Sequence, residues 1–295
     1  MANIRVVATA SNARQIEVAG EFLRDQIAHS EVVLISATRR AGDDLARAVC
    51  PTGHLGLHRL TITQLAAQLT PHLTPLSRLA AEALASRILH HALISQQLQY
   101  FKPVADLPGF APALASTLSD LRLAGVTPAA LAGAGPPASD LAVLLELFQS
   151  EPEARDLADL ATVLHQAALA VEAGGHPLIG LPLLLLDPAL PSRRHREFVR
   201  ALAQKAPAVL ATVLSGDEAG ISTALGVSPE ALRDADSRAT LSRVRRFLFV
   251  PELPPAGPPD DSVQIFSAPG EGLECVEIAR RIRQLAAAGT PFDSV

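Results

Sequence analysis

Aromatic side chains make up only 3% of this 295-residue chain, with no Trp and a single Tyr. That scarcity leaves few platforms on which unpaired bases could stack, and it leaves the core to Leu, Ala, Val and Ile. Lysine is nearly absent as well: of 25 basic residues only Lys102 and Lys205 are lysines. The remaining basic residues are arginines, in a chain also rich in Ala, Leu and Pro. This is the bias of a GC-rich bacterial genome rather than of a function. Cys50 and Cys275 are far apart and in no metal-ligand spacing, so they read as reduced thiols in a cytoplasmic protein. No basic stretch precedes a long apolar run at the N-terminus, so no signal peptide is expected. The apolar run Leu178 to Leu186 is too short to span a membrane and reads as a buried strand. A net charge of −5 excludes a surface that grips nucleic acid everywhere, while leaving room for a local basic patch. Hydrophobic residues at 48% against 19% charged support a sizeable core, enough for one large domain or two ordinary ones.

One further absence is a motif. A short apolar strand, Ile4 to Ala8, leads into Ala8-Thr9-Ala10-Ser11-Asn12-Ala13-Arg14-Gln15, with a helical pattern starting near Ala13. This is the setting of a phosphate-binding loop, G-x-x-x-x-G-K-[ST], in which glycines let backbone N–H groups close on phosphate. Its Lys reaches the β/γ-phosphates and its hydroxyl holds Mg²⁺. Here Ala8 and Ala13 replace the glycines, Arg14 replaces the lysine and Gln15 the hydroxyl residue. Neither lysine follows a Gly or precedes Ser or Thr, so no other stretch supplies the motif. Arg14 is no conservative exchange, because its planar fork does not reproduce a compact ammonium between phosphates.

Along the chain, strand and helix alternate through the first 60 or so residues, as in a parallel sheet. Ile4–Ala8 and Glu31–Ser36 are predicted strands, the second nearly all apolar as a strand covered on both faces should be. Between them, Ile16, Ala19, Leu23 and Ile27 form a helical stripe within Ala13–His29. Thr38–Val49 is a predicted helix, Leu57–Ile62 a strand, and Thr63–Leu69 a helix. From about Pro71 to Gly175 the pattern is helical only: Ser77–Gln99, Phe110–Ala124, a restart after Thr127-Pro128, Ser139–Gln149 and Ala154–Ala173. Strands return at Leu181–Asp187 and Ala208–Val213 around the helix Arg193–Lys205. Asp217–Phe249 reads as mostly helical. Pro251–Asp261 holds prolines at 251, 254, 255, 258 and 259 and reads as a linker. Val263–Ser267 is then a predicted strand, Glu271–Ala288 a helix, and Asp293–Val295 the start of another strand, which leads us to expect a fragment of a longer protein.

The order is α/β, helical insert, α/β resumed, linker, start of a second α/β unit. Several segments in that order resemble the N-terminal half of the B subunit of AddAB-type helicase–nucleases and, more distantly, the RecC-type subunit. These are UvrD-like proteins of the superfamily 1 helicase fold, often grouped with PD-(D/E)XK nuclease family proteins. The segments are Val32–Ala46 with its Thr38-Arg39, Leu57–Leu65, Leu76–Ala81, Pro108–Phe110 with Thr117–Arg122, and Phe266–Pro269 followed by Glu274, Glu277 and Ala279–Ile282. The resemblance covers nearly the whole chain and rests on order and spacing. It implies a P-loop NTPase-like (RecA-like) parallel sheet with an inserted all-helical subdomain. Residues 1–72 and 176–250 would form helicase-like domain 1A, 73–175 a 1B-like helical insert, 251–262 the Pro-rich linker, and 263–295 the truncated start of domain 2A.

The same resemblance assigns sites, and the departures from it matter as much. Asp187 ends the strand where a Mg²⁺-holding acid would stand, but Pro188 replaces the water-activating Glu. Ala8, Ala13, Arg14, Gln15 and Asp187 therefore mark a degenerate nucleotide site, and they argue against ATP binding or hydrolysis here. For Asp187 the plainer reading is a strand-end cap. Thr38, Arg39 and Arg40, at a helix N-terminus, are candidate DNA contacts; an N-cap Thr with two solvated arginines is the rival reading. Arg193 and Arg194 open the densest basic stretch, with His195, Arg196 and Arg200, and read as a solvated helix face or a DNA or partner patch. Asp120 and Arg122 are expected to serve the insert's own packing. No metal site, cofactor or catalytic residue is expected in this segment. The function expected is DNA binding and scaffolding, without hydrolysis, in a subunit for double-strand-break repair and recombination, with DNA and an AddA-like helicase–nuclease subunit as partners, in the cytoplasm and away from membranes. One alternative is a region that positions DNA for a C-terminal PD-(D/E)XK exonuclease domain lying outside it. The other is a P-loop-derived protein-interaction module with no DNA role.

Overall fold

A computed structural model of the chain describes residues 3–153, 157–232, 239–258 and 260–292. It divides into two compact units, residues 1–234 and 235–295. The expected helix start at Ala154, the expected strand at Asp293–Val295 and Pro259 lie outside the described residues.

The first unit is an α/β fold around a six-stranded parallel sheet. In chain order its elements are β1 (Asn3–Thr9), α1 (Asn12–Ile27), β2 (Val32–Ser36), α2 (Arg39–Val49), β3 (Leu57–Leu60), α3 (Ile62–Leu69), β4 (Thr74–Pro75), α4 (Arg78–Ile94), α5 (Phe110–Leu123), α6 (Pro128–Leu131), α7 (Pro136–Glu153), β5 (Leu157–Ala158), α8 (Leu160–Ala173), β6 (Leu183–Leu186), α9 (Arg193–Lys205), β7 (Ala208–Leu214), α10 (Glu218–Leu225) and β8 (Glu230–Ala231). The sheet order is β3-β2-β6-β7-β1-β8, with all its pairings parallel. β2 and β6 are buried at every position, which is why they read as unbroken apolar runs.

Each strand sends alternate residues to opposite faces. On one face Val7, Leu34, Leu184, Leu186 and Leu210 pack under α1 and α2 through Val18, Ala19, Leu23 and Leu45. On the other, Val6, Val33, Ile35, Leu185, Ala211 and Val213 pack under α3, α8, α9 and α10, with Phe198 fully buried. Burying a Leu or Phe of this kind contributes roughly 1.5–3 kcal/mol. α8, which the sequence groups with the helical insert, thus buries Val163, Leu164, Ala167 and Val171 in the core of the sheet.

The insert has its own core, built from α4, α5 and α7 around Ile88, Leu118, Leu144, Leu145 and Phe148. α4 ends where Gln96 turns into the left-handed region (φ 53°) and Gln97 N–H donates back to Ala92 O at 2.9 Å, a Schellman-type stop. The loop beyond it is fixed by the buried Asp140 of α7, whose carboxylate accepts the backbone N–H groups of Gln99, Tyr100 and Phe101 at 2.9–3.1 Å. Arg122 at the end of α5 donates to both oxygens of Asp159, the N-cap of α8, and to Thr162 Oγ1 at 2.6 Å. Burial acts to raise the Asp159 pKa, but the Arg122 hydrogen bonds and charge outweigh it and hold the carboxyl below its ordinary range. Arg122 therefore ties the insert to the sheet-packed helix α8.

Two short pairings were not legible in the sequence. β4 pairs with β5 inside the stretch expected to be helical only, and β8 pairs with β1 inside the stretch expected to be mostly helical, of which residues 233–238 lie outside the described ones. Pairings of two residues carry no alternation to read. The second unit contains α11 (Thr240–Phe247) and α12 (Glu271–Ala287). The predicted strand Val263–Ser267 is not one: residues 263–268 run without regular structure, since a strand needs a neighbouring ladder and none of the described residues of this unit supplies it. Among the described residues, no helix is long and apolar enough to cross a membrane.

Candidate functional site

The carboxyl edge of the sheet gathers the loops after β1, β2, β6 and β7. β1 runs on to Thr9 and α1 begins at Asn12, so only Ala10 and Ser11 connect them. Ser11 closes the junction: its backbone N–H donates to Thr9 Oγ1 at 3.1 Å and its side chain accepts from Arg14 N. A serine N-cap satisfies one of the helix's free N–H groups, so the N-terminus of α1 carries its own acceptor. No residue between Ala8 and Gln15 has a positive φ.

Arg14 is exposed and turns back along its own helix to Glu17 at 2.5 Å. The Glu17 hydrogen bond and charge raise its pKa further. Gln15 is buried, at 1% exposure, and its amide nitrogen has no hydrogen-bond partner among the described residues. The hydroxyl of Thr212 on β7, also fully buried, likewise meets no partner among the described residues. Val7 and Leu186 flank Thr212 in the ladder, so it alternates onto the face covered by α1. Thr9, Ser11 and Ser36 are buried polar residues at the same edge of the sheet, Ser36 lying against Gly42 of α2.

On β2, Ser36 Oγ donates to Thr38 O at 2.7 Å, and Thr38 caps α2 by accepting from Ala41 N. Arg39 and Arg40 are exposed at its first turn. Each lies long from its acid, 4.0 Å to Asp43 and 3.8 Å to Asp44, and both acids are held closer by others, Asp43 by Arg59 at 2.9 Å and Asp44 by Arg47 at 2.7 Å. Arg39 and Arg40 thus keep charge to spare beside a helix N-terminus, an arrangement suited to phosphate.

The basic stretch on α9 is committed to other contacts. Arg193 and Arg194 both reach Glu197, at 2.6 and 3.0 Å, and Arg194 also meets His165 of α8. Burial acts to raise the Glu197 pKa, and the hydrogen bond from Arg193 with the two charges brings it below its ordinary range. Arg193 lies along Gly125 at the end of α5, where a Cβ would come within 3.3 Å of Arg193 Cδ. Arg200 donates to the carbonyls of Thr223 and Ala224, closing the C-terminus of α10. Arg196 donates to Leu190 O.

Asp187 ends β6 with φ 45° and donates its N–H to Thr212 O at 2.9 Å. It opens onto a cavity of about 420 Å³ at the carboxyl ends of β2, β6 and β7, which Ala37, Arg196 and Asp217 also line. The structure therefore brings Asp187 beside the residue preceding Thr38, and commits Arg193 and Arg194 elsewhere. Sequence reading missed Thr212, Asp217 and the position of Arg196: nothing local marks residues that only the sheet brings together. Among the described residues no group of three or more His, Cys, Asp or Glu could hold a metal ion. No family model matches the chain, and no curated protein matches it.

Proposed function

We propose that this region is the P-loop NTPase-like (RecA-like) but non-hydrolysing, helicase-like part of a subunit of a bacterial double-strand-break-processing helicase–nuclease. In this reading it binds DNA and scaffolds an AddA-like motor subunit. The observation that carries the reading is a parallel sheet interrupted by a helical insert whose β1–α1 junction is closed on itself. β1 and β6 stand on either side of β7, so the loop after β1 and the strand-end Asp187 share one edge. In the resemblance these two positions would be the phosphate loop and the metal-side acid. What a phosphate would need is replaced: a two-residue connection capped by Ser11, Arg14 turned to Glu17, and Gln15 buried. Such a sheet still offers a rigid edge, and Thr38, Arg39 and Arg40 are the residues on it best placed for a DNA backbone.

The test is binding of labelled single-stranded and forked DNA by fluorescence anisotropy, with the chain alone and with an AddA-type subunit. Binding at low salt that weakens steeply as salt rises is expected. No binding at low salt in either form would overturn the DNA role. A second reading, an interaction module without DNA, is favoured by one observation: the described residues of 239–292 bury no hydrophobic side chain, and Phe249, Leu253 and Ile265 are 92–94% exposed. Partner binding that survives while DNA binding is absent would select it.

A further inference from the structure

β2 and β6 are neighbours in the sheet, yet the chain leaves them toward opposite faces. α2 packs on the side of Leu34 and Leu186, α9 on the side of Ile35 and Leu185. In parallel α/β sheets such a divergence opens a crevice outside the carboxyl ends of the strands, where ligands bind. The cavity at Asp187 lies there, and its 420 Å³ falls within the range of small-molecule sites. Leu190, Val213 and Ile221 give it apolar walls, and Asp187, Arg196 and Asp217 give it charge.

Those three charges are not spent on one another. Within 4.0 Å none of them makes an ion pair among the described residues, although Arg193 and Arg194 in the same helix both reach Glu197. Among the described residues Arg196 uses one N–H on Leu190 O and the rest of its fork meets no acceptor. Its charge is felt nearby: burial first, then Arg196, hold His195 below the ordinary histidine range. Asp187 sits in the left-handed region, which Asp tolerates better than most residues, and backbone strain of this kind clusters at ligand sites.

A lone anion or cation would satisfy one sign of charge and leave the other unmet. We propose that this crevice binds a small apolar zwitterion, an aliphatic α-amino acid or a short peptide of such residues. The carboxylate meets Arg196, the ammonium meets Asp187 and Asp217, and the aliphatic side chain lies on Leu190, Val213 and Ile221. The site does not depend on the DNA-binding reading and lies apart from the β1–α1 junction.

Isothermal titration of the full chain with leucine, leucyl-leucine, 4-methylpentanoate, 3-methylbutylamine and MgCl₂ tests this. Leucine or leucyl-leucine is expected to bind at millimolar or better, with each single-charge analogue weaker by about tenfold. Preference between leucine and leucyl-leucine separates the free amino acid from the peptide. Asp187→Asn, which keeps a residue tolerant of the left-handed conformation, and Asp217→Asn are each expected to weaken the zwitterion and the amine by about tenfold while leaving 4-methylpentanoate unchanged. Circular dichroism confirms that both variants are folded. The proposal is overturned if no zwitterion binds by roughly 10 mM, if the single-charge analogues bind as well as leucine, or if the Asn variants lose Mg²⁺ binding while leucine binding is unaffected.

Discussion

β1 and β6 end at the same edge of one sheet, and each hands over to a helix that begins with a serine N-cap. After β1 the handover takes Ala10 and Ser11; after β6 it runs from Asp187 to Ser192. The short junction spends its polar groups on itself, Ser11 on Thr9 and Arg14, and buries Gln15 beneath. The long one leaves Asp187, Arg196 and Asp217 around a cavity with no ion pair among the described residues. Position at the carboxyl edge therefore does not decide whether a ligand can enter. The length of the connection and the pairing of its charges do.

The largest effect should come from the brace between the insert and the sheet-packed helix α8. Arg122→Ala leaves the partly buried Asp159 carboxylate with the Thr162 N–H but without its counter-charge, and a loss of about 3 kcal/mol is expected by urea unfolding. Hydrogen exchange should rise at the end of α5 and in the first turn of α8, with the β1–α1 junction still protected. The same pair gives a pH signature. The Asp159 pKa is lowered on folding, so its contribution is present above the unfolded carboxyl value of 3.8 and is lost as pH falls through the lower folded value. Arg122→Ala should therefore flatten the acid limb of the stability curve.

At the closed junction, Thr9→Val removes the hydroxyl that accepts the Ser11 N–H at 3.1 Å and should cost about 1 kcal/mol, read as a lower midpoint in the same unfolding assay. On the DNA side, Arg39→Glu with Arg40→Glu should weaken forked-DNA binding about tenfold or more and shallow its salt dependence. Arg193→Gln with Arg194→Gln should move it far less. Equal effects would erase the distinction drawn between the two arginine pairs. Smallest is the backbone test at the open junction: Asp187→Gly should be close to neutral, and Asp187→Ala should cost about 1 kcal/mol more than Gly because Ala resists the left-handed conformation.

How much of this was legible follows from where each signal is stored. The run Val32 to Ser36 announced a doubly covered strand, and Arg193–Lys205 was delimited by its own helical pattern. In α1 the stripe holds at Ala19, Leu23 and Ile27, which pack on the sheet, and fails at its first position. Ile16 is 40% exposed and Gln15 is buried in its place, because Gln15 shares a face with Ala19 and Leu23 at spacings of four. A polar residue in the buried phase is what an apolar template cannot see. The basic stretch on α9 was visible as composition, but its partners Glu197, His165 and the α10 carbonyls were not, and they decide its role. The cavity was illegible for the same reason: Asp187, Arg196 and Asp217 meet through β6, α9 and β7, not through a motif.

The proposed function requires that the β1–α1 junction, closed by Ser11 with Arg14 turned to Glu17, supports no phosphate chemistry. Mg²⁺-dependent ATP hydrolysis, measured on the wild-type chain and on an Arg14→Ala variant, tests it most directly. No turnover above background is expected from either protein, with or without DNA. Turnover by the wild type that disappears in Arg14→Ala would contradict it.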